Sequence, residues 1–207
     1  MKLYGFGPTR TLRPLWALQE LGVDFEYVRV DLPGGEARSP AFLALNPAAK
    51  VPVLVDGDLV LTESVAIVLY LAEKLPAAKL MPEGLAERAD AYRWLMFTAT
   101  ELEQPLWRIA KHTALYPPDK RVPADVPRAQ EDFAAMAKVM QDHLRGRTFV
   151  VGDRVTMVDF VLAYTLDWAG EAGLLGDFPE LRAYVDRMYA RPKAVSHIEA
   201  ELAKLRA

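Results

Sequence analysis

The first 32 residues alternate between two hydrophobic periods. Lys2 to Phe6 form a short apolar stretch typical of a β-strand. Between Thr9 and Leu21 the apolar residues recur at helical spacing, and Gly22 ends that pattern. Phe25 to Leu32 alternates as a half-buried strand does. The pattern therefore predicts a strand–helix–strand unit, for which a right-handed crossover is expected.

The following residues predict a hairpin between two short helices. Pro40 to Leu45 has helical character, and two apolar runs, Val51–Val55 and Leu59–Leu61, flank the turn sequence Asp56-Gly57-Asp58. Thr62-Glu63-Ser64 then opens a helix that is expected to run to about Leu75.

Beyond residue 83 the chain carries only helical patterns. They cover residues 86–111, 126–144, 156–169, 179–190 and 193–205. Pro105 is expected to kink or split the first of them, because proline has no N–H to donate within a helix. Thr156 and Asp159 have the spacing of a capping box, with aspartate in place of the usual glutamate.

Strands and helices followed by helices alone indicate two domains, an α/β domain and an all-α domain. We predict the first over residues 1–77, a linker over residues 78–86, and an all-helical domain over residues 87–207. A chain of 207 residues can bury a hydrophobic core without disulfides or metals.

Composition and charge narrow the classes of function. The formal net charge of −3 provides no positive field for a nucleic-acid backbone, so no nucleic-acid partner is expected. No apolar run approaches the roughly 20 residues that a membrane span needs, so no membrane partner is expected either. The N-terminus lacks a signal-peptide pattern, and we expect a cytoplasmic protein.

The chain contains no cysteine. Its own residues therefore supply no thiol for disulfide exchange, nucleophilic catalysis or a cysteine-type zinc site. The three histidines, His112, His143 and His197, are scattered over separate helical segments, and we expect no bound metal.

A dinucleotide-binding site is one alternative for the N-terminal part. Gly5-Phe6-Gly7 follows a strand and Asp31 lies near the end of the second strand, as in that fingerprint. Arg10 replaces its third glycine, however, and a hairpin and a helical tail follow where more parallel strands would be needed. The sequence disfavours this alternative.

Three separate motifs carry a resemblance to a known family. Asn46 to Leu54, Leu61 to Ile67 and Gly152 to Asp159 resemble the glutathione-binding segments and the helical-domain cap of cytosolic glutathione S-transferases. The resemblance covers nearly the whole chain, and it is to bacterial members of the non-cysteine type. It implies a thioredoxin-like domain before a helical domain, glutathione as co-substrate, a role in detoxification and a homodimer.

The resemblance also implies which residues bind glutathione. In the family the proline that matches Pro52 is cis, and the backbone of Val51 pairs with the cysteinyl unit. Glu63 and Ser64 would hold the γ-glutamyl ammonium and carboxylate groups, and Lys50 would lie near the glycine carboxylate. Three plainer interpretations stay open: a strand that begins with proline, ordinary helix capping, and a solvated lysine.

Family members activate the glutathione thiol with a residue just after the first strand. Counting back from Arg13, which resembles the basic residue of the family's first helix, puts this position at Thr9, with Thr11 second and Tyr4 third. The thiol has a pKa near 8.5, and the means available to stabilise the thiolate are a hydroxyl donor and the N-terminus of the first helix. The alternative for Thr9 is an N-cap after Pro8.

A hydrophobic second substrate is expected in a cleft between the domains. The residues expected near it are Phe6, Trp107, Arg108, His112 and Tyr116. Aromatic residues at helical spacing are more often part of a core, so that interpretation stays open as well. The Pro-rich segment from Lys111 to Pro127 is long for a loop and is expected to cover this cleft.

Two functions follow from the resemblance. The first is an enzyme that conjugates glutathione to hydrophobic electrophiles or uses it to reduce hydroperoxides. The second is a non-catalytic binding module of the same fold. The absence of cysteine excludes the disulfide-exchanging members of the superfamily, since no mixed disulfide can form on this chain.

Overall fold

A computed structural model describes residues 1–206. The chain divides into two compact units. The first comprises residues 1–81 together with the segment from Tyr189 onward, and the second comprises residues 82–188. The domain boundaries proposed from the sequence stay a prediction. No helix within residues 1–206 combines the length and the apolar character needed to cross a lipid bilayer.

A four-stranded mixed sheet forms the centre of the first unit. Its strands are β1 (Lys2–Gly5), β2 (Glu26–Arg29), β3 (Val53–Asp56) and β4 (Leu59–Leu61), in the order β2-β1-β3-β4. β1 pairs in parallel with β2, and antiparallel pairing joins β1 to β3 and β3 to β4. The predicted strand–helix–strand unit and hairpin are both present.

Apolar side chains anchor the helices of the first unit to this sheet. The helices are α1 (Leu12–Leu21), α2 (Pro40–Leu45) and α3 (Ser64–Lys74). Leu3 and Leu54 pair across β1 and β3 and are fully buried, as is Trp16 of α1. A separate cluster joins Phe42 of α2 to Val53 of β3. Burial of apolar surface on the sheet therefore places α2 and β3 next to each other.

Helix α1 begins three residues later than the sequence predicts. The predicted start was Thr9, but residues up to Thr11 form a hydrogen-bonded turn in which the Thr9 N–H donates to Phe6 O over 3.0 Å. Threonine hydroxyls compete with the helix for backbone partners, which explains the delay. At the other end Gly22 adopts the left-handed conformation that ends a helix, as predicted.

The second unit contains helices and no strand among its described residues. They are α4 (Leu85–Phe97), α5 (Glu103–Ala110), α6 (Asp125–Leu144), α7 (Met157–Glu171) and α8 (Pro179–Tyr189), the last of which runs one residue into the first unit. A π-helical segment, Thr98–Leu102, separates α4 from α5 just before Pro105. The predicted split is confirmed, because Pro105 has no N–H for the carbonyl four residues earlier.

The predicted capping box at the start of α7 is confirmed. The Thr156 N–H donates to Asp159 Oδ2 over 2.8 Å, and the Asp159 carboxylate also accepts from the Val150 N–H and the Tyr184 hydroxyl at 3.0 and 2.8 Å. Asp159 is completely buried, and burial raises the pKa of its carboxyl group, against the lowering effect of these hydrogen bonds. One carboxylate therefore joins α7, α8 and the loop at Val150.

The C-terminal segment belongs to the first unit. Arg191 forms a two-pronged ion pair with Glu20 of α1 at 2.8 and 3.1 Å, and Lys193 donates to the Glu20 carbonyl. The last helix, α9 (Ile198–Arg206), begins five residues later than predicted. Before it the chain makes a turn in which the Ala194 N–H donates to Arg191 O over 3.1 Å, while Arg191 and Lys193 are held by α1.

Candidate functional site

The edge of the sheet at Val51 leaves backbone groups outside the strand pairing. The Val51–Pro52 peptide bond is cis, as the resemblance implies. Pairing between β1 and β3 ends at Tyr4 and Val53, so Val51 lies two residues beyond the last pair. Val51 itself is half-buried. An extended peptide ligand can add to such a backbone edge as a further strand.

A buried asparagine holds the loop that leads to Val51. Asn46 Nδ2 donates to Lys50 O over 2.7 Å, and Asn46 Oδ1 accepts from the Ala48 N–H over 3.0 Å. The residue between them, Ala49, has a positive φ of 54°. The Lys50 side chain is exposed, as expected of a residue that meets a ligand carboxylate or only solvent.

Asn46 begins one of the family motifs, and the sequence alone assigns it no role at the site. Asparagine before proline is a turn signal, because its side chain can bond its own backbone two residues on. That signal predicts the bond to Ala48. It cannot predict the bond to Lys50 O, which depends on how the loop folds back.

Glu63 and Ser64 stand at the N-terminus of α3. Glu63 has φ 64° and ψ 111° and makes no capping hydrogen bond with its side chain. A non-glycine residue in such a conformation costs about 1–3 kcal/mol and is found mainly at functional sites and switch regions. The strained Glu63 backbone therefore supports a functional role for this turn, while capping by Thr62 or Ser64 stays an alternative.

A buried arginine lies beside Ser64. Arg13 of α1 is only 1% exposed, and its Nη1 donates to Ser64 Oγ over 3.1 Å. The N-terminus of α3 carries the positive end of the helix dipole. The guanidinium and the dipole together favour an anion at Ser64, since backbone N–H groups of the first turn are available as donors.

Three residues after β1 form a closed set of hydrogen bonds. The Phe6 N–H donates to Thr11 Oγ1 over 3.3 Å, the Thr9 and Thr11 hydroxyls lie 2.8 Å apart, and the Thr9 hydroxyl donates to Phe6 O. The Thr11 N–H also donates to Thr9 Oγ1 over 3.3 Å. Hydrogen bonds accepted by a hydroxyl strengthen the one it donates.

The candidate hydroxyls differ in accessibility. Thr11 is fully buried, and a Cβ atom at Gly5 would lie 2.9 Å from Thr11 Cβ, so the two residues are packed together. The Tyr4 ring packs edge-on against Phe42 at 6.5 Å. Thr9 is partly exposed. Thr9 is thus more open to a ligand than Thr11.

Phe6, expected near the second substrate, is almost entirely buried. The Arg29 guanidinium lies 5.3 Å from the centre of its ring, at cation–π distance. Within the first unit Phe6 thus serves as a packing residue and as a backbone partner of both threonines.

Trp107 in α5 belongs to an aromatic pair. Its indole Nε1 donates to Glu103 Oε1 over 3.3 Å, and its ring meets that of Trp168 edge to face at 5.2 Å. The Trp107 side chain is half-buried. One part of the Trp107 ring therefore packs against Trp168, while another part stays accessible to solvent.

The other residues expected near the second substrate lie together around one carboxylate. Asp125 accepts two hydrogen bonds from Arg108, at 2.9 and 2.6 Å, and lies 3.8 Å from His112 Nε2. Arg108 also pairs with Asp132, and these two partners raise the pKa of its guanidinium. The charge of Arg108 is therefore paired with carboxylates of the protein.

The segment expected as a loop from Lys111 to Pro127 is partly helical: a π-helical stretch, Lys111–Leu115, extends α5, and α6 begins at Asp125. His112 and Tyr116 stabilise the connection between them. The Val122 N–H donates to His112 Nδ1 over 3.1 Å, which leaves the proton of neutral His112 on Nε2, toward Asp125. The rings of His112 and Tyr116 meet edge to face at 5.6 Å, and Arg121 Nε donates to Tyr116 O over 2.8 Å. The connection between α5 and α6 is therefore held by several hydrogen bonds and ring contacts.

Comparison with known proteins identifies the family. Residues 1–73 match the family model described as the glutathione S-transferase N-terminal domain, and residues 105–192 match the one described as its C-terminal domain. Glutathione S-transferase F10 of Arabidopsis thaliana is 34% identical over 190 residues, which cover 86% of this chain and 87% of the relative. The chain belongs to the glutathione S-transferase family.

Bacterial members and a solved structure agree with this assignment. Glutathione S-transferase GST-4.5 of Xanthomonas campestris is 32% identical, covering 97% of this chain and 98% of the relative. The structure of a sphingomonad glutathione S-transferase complexed with glutathione superposes with a TM-score of 0.83 at 31% identity, covering 97% of this chain and 98% of the other. The predicted family and two-part fold class are confirmed.

Proposed function

We propose that this chain binds glutathione in its first unit and conjugates it to hydrophobic electrophiles. The observation that carries the proposal is the anion site at the N-terminus of α3, where the buried Arg13 donates to Ser64. It would take the γ-glutamyl carboxylate, with Glu63 on the ammonium group. The unpaired edge at Val51 would take the cysteinyl backbone, and Lys50 the glycine carboxylate.

The proposed role of Thr9 is to stabilise the thiolate of bound glutathione. Lowering the thiol's pKa from near 8.5 to near 7 requires about 2 kcal/mol of preferential stabilisation of the anion. One hydrogen bond to a charged group contributes roughly 1.5–3 kcal/mol. Thr9 is partly exposed and accepts two hydrogen bonds from Thr11, which supports it as the donor. Its hydroxyl would exchange Phe6 O for the sulfur.

For the second substrate we propose an apolar electrophile that contacts Trp107 and Tyr116. Both rings are partly accessible, and Tyr116 is 37% exposed. Arg108 and His112 then act through the loop that they brace rather than as charges offered to the ligand. We propose reduction of hydroperoxides as a second reaction of this site. The thiolate would take the terminal peroxide oxygen and release the alcohol, and a second glutathione would convert the resulting sulfenic acid to glutathione disulfide and water.

We further propose a homodimer that acts in detoxification in the cytoplasm. Three apolar side chains of α4, Leu85, Tyr92 and Met96, are exposed by 86, 38 and 48% and recur at helical spacing. Exposed apolar residues grouped in this way are typical of an association surface. Sedimentation equilibrium of the wild type and of Met96→Lys tests the dimer, which we expect the substitution to weaken.

Retention on immobilised glutathione, followed by turnover of a generic aryl halide, tests the main proposal. We expect retention and turnover for the wild type, and at least tenfold weaker glutathione binding for Glu63→Gln. Asp58→Asn is the matched control, since it removes one exposed carboxylate from the same unit. Retention without turnover would favour a binding module, and an absence of retention would overturn the proposed site.

A further inference from the structure

The C-terminal helix brings a carboxylate to the turn that carries Thr9. A Cβ atom built on Gly7 would lie 3.1 Å from Cδ and 3.3 Å from Cγ of Glu201 in α9. The Glu201 side chain is only 18% exposed. Its carboxylate therefore occupies the space that the absent side chain of residue 7 leaves, against the turn between β1 and α1.

Lys204 of α9 forms an ion pair with this carboxylate. The carboxylate is also close enough to the Tyr27 hydroxyl of β2 to influence its pKa. Burial raises the pKa of the Tyr27 hydroxyl, the Glu201 carboxylate raises it further, and Arg29 lowers it. Lys204 is 62% exposed, so it neutralises Glu201 only in part.

The carboxylate is close enough to influence an anion at Thr9. Only one residue separates Gly7 from Thr9, so their Cα atoms lie at most about 7.6 Å apart. Glu201 touches Gly7, which puts its charge about one Debye length, roughly 10 Å at 0.1 M salt, from a sulfur held at Thr9.

We propose that the Glu201–Lys204 pair of α9 sets the thiolate fraction of glutathione held at Thr9, with Glu201 opposing the anion and Lys204 favouring it. This inference rests on the proposed function. It makes Glu201 a positioning residue, because it acts on the thiol through its charge and its contact with the turn. The C-terminal helix thereby regulates the reactivity of the site from within the same unit.

Titration of the thiolate absorbance of bound glutathione at low ionic strength tests the proposal. Glu201→Gln should lower the thiol's pKa by about 0.5, equivalent to a threefold larger thiolate fraction below the pKa. Lys204→Gln should raise the pKa instead, because the charge of Glu201 is then unopposed. Both shifts should shrink at 1 M salt, where the Debye length is about 3 Å.

Glu199→Gln is the matched control, since Glu199 is an exposed acid on the same helix. It should leave the pKa unchanged, and Glu201→Asp should keep most of the wild-type value by preserving the charge. Three outcomes would each overturn the proposal. Glu201→Gln could leave the pKa unchanged, it could shift the pKa no more than Glu199→Gln does, or it could shift the pKa in the same direction as Lys204→Gln. Failure of the proposed function shows separately, as loss of glutathione retention in the wild type.

Discussion

At the scale of single residues, hydrogen-bond partners separate groups that the sequence presents as equivalent. Thr9 and Thr11 are two hydroxyls two positions apart. Thr11 is buried against Gly5 and bonded to Phe6, whereas Thr9 is partly exposed and accepts from Thr11. We therefore assign Thr9 as the proposed thiol donor and Thr11 as the residue that orients it.

Replacing Thr9 by valine should raise the pKa of bound glutathione's thiol by about one, since one hydroxyl donor is lost while the shape is kept. At neutral pH, close to the proposed wild-type pKa, the rate of conjugation should fall about fivefold. The measurement is the pH dependence of the thiolate absorbance together with that of kcat/KM. Thr9→Ser restores the donor and should restore the wild-type pKa.

Thr11→Val should produce a shift in the same direction but smaller, because it removes only a bond that strengthens the Thr9 donor. Valine keeps the packing against Gly5. If Thr11→Val raised the thiol's pKa more than Thr9→Val does, the two roles would have to be exchanged.

At the scale of elements, the second unit is organised around buried polar groups between helices. Asp159 links α7 to α8 and to Val150, and His143 links α6 to the same loop, with a 2.8 Å hydrogen bond to Val150 O. The His143 ring also packs on Trp94 of α4 at a centroid distance of 4.0 Å. Apolar burial brings these helices together, and the polar bonds select their arrangement.

Asp159→Ala should lower the free energy of unfolding by about 3 kcal/mol or more, since it removes the carboxylate that accepts from the buried Val150 and Thr156 N–H groups and from the Tyr184 hydroxyl. Thr156→Ala should cost about 1 kcal/mol, the usual value for a lost N-cap. Urea unfolding provides both values. Asp153→Asn, an exposed substitution in the same loop, should change stability by less than about 0.5 kcal/mol.

Stability should also decrease on acidification because of His143. Burial is the main reason that the pKa of His143 lies below its ordinary value of 6.5. The unfolded chain therefore takes up a proton near pH 6.5 while the folded protein does not, so stability is lost as the pH falls from about 7 towards the lower folded pKa. Urea unfolding of the wild type at pH 7.5 and 5.5 measures this loss.

His143→Gln is the control for this prediction. Its amide group can still donate to Val150 O, but it does not titrate. The loss of stability between pH 7.5 and 5.5 should therefore be smaller in the variant than in the wild type. An equal loss in both proteins would assign the pH dependence to other groups.

At the scale of the whole molecule, the segment from Tyr189 onward returns to the first unit. The ion pair between Glu20 and Arg191 holds this segment in place. The Tyr189 ring also packs between Trp16 and His197, at centroid distances of 4.9 and 3.9 Å. The same segment leads to α9 and Glu201. The two ends of the chain are therefore parts of one compact unit.

The Glu20–Arg191 pair should show a coupling energy of up to about 1 kcal/mol in a double-mutant cycle of Glu20→Gln and Arg191→Gln, because both side chains are largely shielded. Unfolding in urea at low and high salt measures it. Cleavage between residues 189 and 198 by a nonspecific protease should be faster in the single variants. Additive effects of the two substitutions would contradict a direct coupling.

Much of the fold and part of the site can be predicted from the order of residues alone. Periodicity, turn residues and Pro105 place most helices and strands, since these signals act within a few residues of the chain. The motifs around Pro52, Ser64 and Asp159 predict the family, which the comparisons confirm. The absence of cysteine determines by itself that any reactive thiol must come from a ligand.

Only the tertiary structure decides which distant residues meet. Arg13 and Ser64 are 51 positions apart, Gly7 and Glu201 still farther, and neither contact has a local signature. The same holds for the difference between Thr9 and Thr11, which depends on burial against β1. Local propensities reflect neighbouring residues, whereas burial, charge pairing and shielding from water arise when separate segments pack, and these long-range contacts determine the electrostatics of the proposed site.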